Sequence, residues 1–277
     1  MKQIQKREPE SQSLELGGIT KVMATMAQVA QYRPRDEEAA FQKAMALLDR
    51  SPEFAERAWY SIPYAGREGK VNVEGPSIKA ALALVQEWGN SIALSTIHEE
   101  REESAKVGGI FYDAERNLFI GKDLIVSRWR KIKDSDQRVL MPIEQWQNAM
   151  NAASSKALRN AICNGISEDR IERFVGRAKE VVKRKSKVSA KPMEDRVRSC
   201  LAAFLKLGVS RKDLDRVLDL EGKAWTEDDV LRAGGIFNAI QAGEASVKEI
   251  FGLDAPLSSQ VAGAPSVGQA MEGAKVS

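Results

Sequence analysis

The chain has 277 residues, 43% of them hydrophobic and 29% charged, and its 42 Lys and Arg nearly balance 39 Asp and Glu, for a formal net charge of +3. That length and apolar content allow one large domain or two smaller ones with a real core. So small a net charge excludes a bulk polycation, and any grip on a polyanion has to come from local clustering.

Residues 1–15 are polar and expected to be mobile. They hold no apolar h-region, and no apolar run approaches the roughly eighteen residues of a membrane span. A soluble cytoplasmic protein, with no membrane partner, is therefore expected. Helical periodicity begins near Ile19 and lasts to Tyr32, where Arg33-Pro34-Arg35-Asp36 breaks it. Asp36 can cap a second helix through Leu48, with Phe41, Ala44, Met45 and Leu48 on one face. Ser51-Pro52-Glu53 opens a short third helix, since proline is favoured in a first turn. Gly66 to Gly75 reads as a loop or hairpin tip.

Ser77 to Trp88 is the next helix, with Ile78, Leu82, Val85 and Trp88 recurring on one face, and Gly89-Asn90 stops it. The period then switches to two. Ile92, Leu94, Thr96 and His98 alternate with Ala93, Ser95, Ile97 and Glu99. Lys106–Tyr112 and Leu118–Val126 follow as strands joined by the turn Asp113-Ala114-Glu115-Arg116-Asn117, which makes a three-stranded antiparallel meander. After the basic segment 128–138, Pro142 starts a long helix to about Gly165, and another runs from Ser167 to about Lys185. Lys183 to Ser189 lacks an apolar period and reads as a linker. Met193–Leu207, Arg211–Leu220 and Thr226–Ala242 form a small three-helix unit, and residues 254–277, rich in Ser, Ala, Gly and Pro, read as disordered. The fold class is α+β.

Arg128-Trp129-Arg130-Lys131-Ile132-Lys133 places four cations within six residues around an indole. Phosphate neutralisation plus a stacking platform is how proteins hold single strands without reading sequence; a solvated edge strand guarded by charge has the same composition. Lys156 and Arg159 share a helix face beside small and polar neighbours, which suits a close-lying backbone or an ordinary wet face. Lys183, Arg184, Lys185 and Lys187 form a one-sided basic cluster able to touch DNA or a partner. Cys163 and Cys200 have no CxxC spacing and read as reduced thiols. His98, the only histidine, cannot build a metal site alone. Glu68-Gly69-Lys70 and Glu221-Gly222-Lys223 match the Glu-x-Lys triplet of magnesium nucleases, but they sit in loops or helix ends.

Arg33-Pro34-Arg35-Asp36-Glu37, Glu74-Gly75-Pro76-Ser77-Ile78, Trp88-Gly89-Asn90, Asp113-Ala114-Glu115-Arg116-Asn117 and Ser155-Lys156-Ala157-Leu158-Arg159-Asn160-Ala161-Ile162 stand in the order seen in phage-encoded, RecT-like single-strand annealing proteins. Trp225-Thr226-Glu227-Asp228-Asp229 and the run from Gly235 to Glu244 are similar to the end of that family. The resemblance covers most of residues 30–250. It implies the annealing-protein core of the superfamily that includes Redβ and Erf, rings or helical filaments of one subunit, a basic groove for single strands, and no need for ATP, metal or other cofactor. It also maps the basic residues of the family's post-sheet helix onto Lys156 and Arg159, although many relatives carry a doubled arginine where these two are separated.

The expectation is a non-enzymatic recombination protein of a phage or prophage, working in the bacterial cytoplasm. It would bind single-stranded DNA and annealing duplex intermediates as a homo-oligomer. Residues 16–187 would form the binding and oligomerisation core and 188–253 a helical domain. Contacts would come from Arg128, Trp129, Arg130, Lys131, Lys133, Lys156 and Arg159. A phage exonuclease and a host single-strand DNA-binding protein are further partners. The rival readings are a magnesium-dependent nuclease, and a scaffold whose C-terminal helices recruit the single-strand-binding protein.

Overall fold

The computed structural model describes residues 10–66, 69–131, 137–188 and 191–253. It is α+β throughout: antiparallel sheets packed against helices, with a helical unit at the C-terminal end. The first helix, α1 (Glu10–Tyr32), begins inside the stretch expected to be mobile. Helices α2 (Glu37–Arg50) and α3 (Pro52–Arg57) are capped by Asp36, which accepts from Ala39 N at 3.0 Å, and by Ser51, which accepts from Phe54 N at 3.2 Å.

Strands β1 (Trp59–Gly66) and β2 (Gly69–Pro76) form a full antiparallel hairpin where a loop or hairpin tip was expected over Gly66 to Gly75. Proline and glycine mask its period of two, yet Tyr60, Ile62 and Tyr64 do alternate. Ser77 caps α4 (Ile78–Trp88), and Gly89 and Asn90 end it with φ of 67° and 42°, the left-handed values that favour these residues.

The expected meander is present as β3 (Ser91–Glu100), β4 (Ser104–Asp113) and β5 (Leu118–Ser127), in the order β3-β4-β5, with a bulge at His98. Beyond β5, the basic segment folds back as a small hairpin, β6 (Trp129–Lys131) and β7 (Arg138–Leu140). Helix α5 (Ile143–Gly165) then crosses the sheet. Two glycines permit that crossing. A Cβ on Gly109 would come within 2.2 Å of the Leu158 backbone nitrogen, and one on Gly165 within 2.1 Å of the Phe111 ring. Trp146 and Met150 pack on Ala105 and Val107 at one end of the sheet, and Leu158 and Ile162 join the main core with Phe41, Leu48, Trp88 and Phe111 at the other.

Helix α6 (Glu168–Val188) continues straight through the stretch expected to be a linker. Its cations have distant carboxylate partners, so the missing apolar period reflects a helix face held by ion pairs. Helices α7 (Met193–Leu205), α8 (Arg211–Leu218), α9 (Glu227–Gln241) and α10 (Val247–Phe251) enclose a second core around Phe204, Leu214, Leu218 and Ile236. This unit is docked on the rest. Asn238 Nδ2 donates to the carbonyls of Glu56 and Trp59, and Gly235 lies so close to Trp59 that a Cβ would approach its ring within 2.5 Å. No helix among the described residues is long and apolar enough to cross a membrane.

The recurring sequence motifs meet in space. Asp113, fully buried, accepts from Arg35 Nη2 at 2.5 Å, Trp88 Nε1 at 3.1 Å and the backbone nitrogens of Glu115 and Arg116. Arg35 also lies 4.4 Å above the Trp88 ring, while Asn90 donates to Arg33 O and Glu115 Oε1. Burial pushes the Asp113 pKa up, but the hydrogen bonds from Arg35 and Trp88 outweigh it and hold the carboxyl below its usual range. Three motifs of the resemblance therefore tie the segment between α1 and α2 to the sheet.

Candidate nucleic-acid interface

The basic hairpin is built from its base outward. Arg128, half-buried, donates from Nε to Met141 O at 3.1 Å and from Nη1 to Glu102 O at 3.3 Å, while its own backbone bonds to Glu103 and Met141. Its guanidinium clasps the hairpin to the turn between β3 and β4. Beyond the clasp, Trp129 pairs with Leu140, Arg130 with Val139 and Lys131 with Arg138. Trp129 is 37% exposed, and Arg130 and Arg138 are exposed without an ion pair to any described residue. The register sets one cation directly opposite another, an arrangement that costs stability unless an anion offsets it. Lys133 lies outside the described residues.

Arg138 was not among the expected contacts. Only the strand register, which pairs it with Lys131, reveals it. The clasp also brings an acidic turn near: Glu99, Glu100, Glu102 and Glu103 are solvent-facing, with Glu99 bound to Arg101 at 2.6 Å.

Helix α5 corrects the expectation for Arg159. Lys156 and Arg159 do share a face, but that face packs on the turn after α9. Arg159 is 5% exposed, forms an ion pair with Glu244, which is equally buried, and lies 4.5 Å over the Tyr60 ring. Its guanidinium is out of reach of a strand on the surface. Burial raises the Glu244 pKa, partly offset by the Arg159 charge. Lys156, half-buried nearby, also lowers it, so this lysine is partly compensated from within.

The basic cluster of α6 is likewise engaged. Lys183 pairs with Asp228 at 2.7 Å, Arg184 with Asp49 at 3.5 Å, and Lys185 with Glu53 and Glu56 at 2.9 and 3.0 Å. These surface pairs are weak individually, but they orient the cations toward α2, α3 and α9. Lys187 is exposed at the helix end.

His98 sits on the sheet surface, where Thr96 Oγ1 lies 3.0 Å from its Nε2 and Asp123 is shared between it at 3.1 Å and Lys106 at 2.8 Å. Gly108 beneath leaves room for this cluster, since a Cβ there would approach the His98 ring within 2.3 Å. The hydrogen bond from Lys106, reinforced by His98, keeps the Asp123 carboxyl below its usual range. Of the two Glu-x-Lys triplets, Glu221-Gly222-Lys223 forms the turn after α8, and Glu68 lies outside the described residues. Burial pushes both the Cys163 and Cys200 thiols up to about 11, so neither is a ready nucleophile at neutral pH. Compared with known protein families, with curated proteins and with solved structures, the chain gave no match.

Proposed function

We propose that the chain is a phage or prophage recombination protein that binds single-stranded DNA and anneals complementary strands as a homo-oligomer, in the cytoplasm of a bacterial host. The observation that carries this reading is the hairpin: a partly exposed Trp129, with Arg138 in register with Lys131, and with Arg130 and Arg138 exposed and without an ion pair to any described residue. Phosphates supply the missing negative charge, and the ring offers a base a stacking surface worth about 1–3 kcal/mol. The order of the sequence motifs supports the same reading.

Annealing of this kind asks for no group that makes or breaks a covalent bond. Base pairing provides the free energy, and the protein screens strand–strand repulsion while leaving base edges free. Neighbouring copies have surfaces to cover. Val22, Val29 and Tyr32 of α1 are 53%, 48% and 87% exposed, and β3 and β5 are the outer strands of their sheet.

The test is annealing of two complementary fluorescent oligonucleotides without ATP and with EDTA present. Acceleration over the spontaneous rate is expected. Replacing Arg130 and Arg138 together with Ala should weaken single-strand binding and lower the slope of log K against log salt by about 1.4, at roughly 0.7 per phosphate contact. An unchanged slope removes the hairpin from the interface. Activity that appears only with magnesium, together with strand degradation, turns the reading toward a nuclease.

A further inference from the structure

The C-terminal unit does not close fully against the rest of the chain. Between α3, β1 and α6 on one side and α7 and α9 on the other lies a cavity of about 290 Å³. Its walls include Trp59, Val182, Cys200, Phe204, Leu231 and Phe237. That volume is roughly twice the 150 Å³ of an apolar cavity that takes up benzene, so two rings fit. It also approaches the lower end of the range for small-molecule sites, about 300 Å³.

Two observations point to an occupant. Gly234 of α9 faces the cavity, and a Cβ built there meets nothing within 4 Å, so the space extends to the helix backbone. The acids at the rim are already taken: Glu56 by Lys185, and Glu227 by Ser186 and Arg196. Arg57, exposed at the same rim, gives its Nε to the Glu53 carbonyl and has no carboxylate ion pair among the described residues.

We infer that this cavity is a binding site for a small aromatic anion, with two rings between the apolar walls and the anionic group at Arg57. Such a ligand touches both the core and the C-terminal unit, so its binding free energy adds to their docking. The inference does not depend on DNA binding.

The probe is 8-anilinonaphthalene-1-sulfonate, titrated into the full chain, with uncharged N-phenyl-1-naphthylamine beside it. One saturable equivalent of the sulfonate is expected, binding several-fold more tightly than the uncharged amine. At a hundred times its Kd, the sulfonate should raise the thermal midpoint by on the order of 5 °C. It should also slow alkylation of Cys200. Gly234→Leu fills the cavity at a helical position where leucine is the better helix former, and should cost the probe at least tenfold in affinity while the midpoint without probe holds or rises. Arg57→Ala, at the surface, should remove the preference for the sulfonate. Absence of saturable binding, full affinity in Gly234→Leu, or equal affinity for the two probes overturns the inference.

Discussion

Arg159 separates a DNA-contact reading of α5 from a structural one. Truncating it to Met keeps the aliphatic stem but leaves Glu244, 5% exposed, without its cation. Breaking one side of a buried ion pair costs about 3–5 kcal/mol, because the remaining group stays desolvated. Loss of the stack on Tyr60, 4.5 Å away, adds about 0.5–2 kcal/mol. Glu244→Leu alone should cost a similar 3–5 kcal/mol, now by stranding the guanidinium. The double replacement should return to within about 1 kcal/mol of the starting stability, since a buried pair exchanged for apolar side chains is often neutral. Urea unfolding of the four proteins at neutral pH, followed by tryptophan fluorescence, measures the coupling directly. Arg159→Met should leave the salt slope of single-strand binding unchanged. If it instead keeps full stability and lowers that slope by about 0.7, the guanidinium reaches a phosphate and the structural assignment is wrong.

Other perturbations probe the neighbouring elements. Replacing Glu102 and Glu103 together with Gln removes two charges beside the hairpin, and single-strand affinity at low salt should rise about two- to threefold, with the gain fading as salt screens it. Gly109→Ala drives a methyl into the α5 backbone and should cost about 3 kcal/mol or more, measured as a shift in urea midpoint. Asp113 titrates below its usual 3.8 in the folded chain, so its contribution to stability is present above that pH and lost as pH falls through the depressed value. Asp113→Asn should therefore be less stable at pH 7 by about 1.5–3 kcal/mol, because Arg35 loses its shortest carboxylate bond while Glu37 and Glu115 remain beside it, and should lack this acid-dependent loss. Denaturation midpoints at pH 7 and below pH 3.8 test both parts.

Local order was legible from the chain alone. Asp36, Ser51 and Ser77 cap the helices they precede, Gly89 and Asn90 end α4 with positive φ, and the meander occupies the strands that a period of two marks out. Each of these features depends on residues within a few positions of one another, where propensity and turn chemistry act. A hairpin tip was one reading of Gly66 to Gly75, but the two paired strands were not read, because proline and glycine blur the alternation.

What each cation does was decided only by tertiary structure. Arg159 looks like a solvent-facing partner of Lys156 until Glu244, supplied from beyond α9, buries it. Lys185 looks like part of a linker until Glu53, 132 positions earlier, pairs with it and the helix runs on. Arg138 joins Lys131 only through the register of the hairpin. Periodicity tells which residues share a face, but not what covers that face. Covering depends on chain segments brought together by burial of the whole core, and that information is not local to any motif.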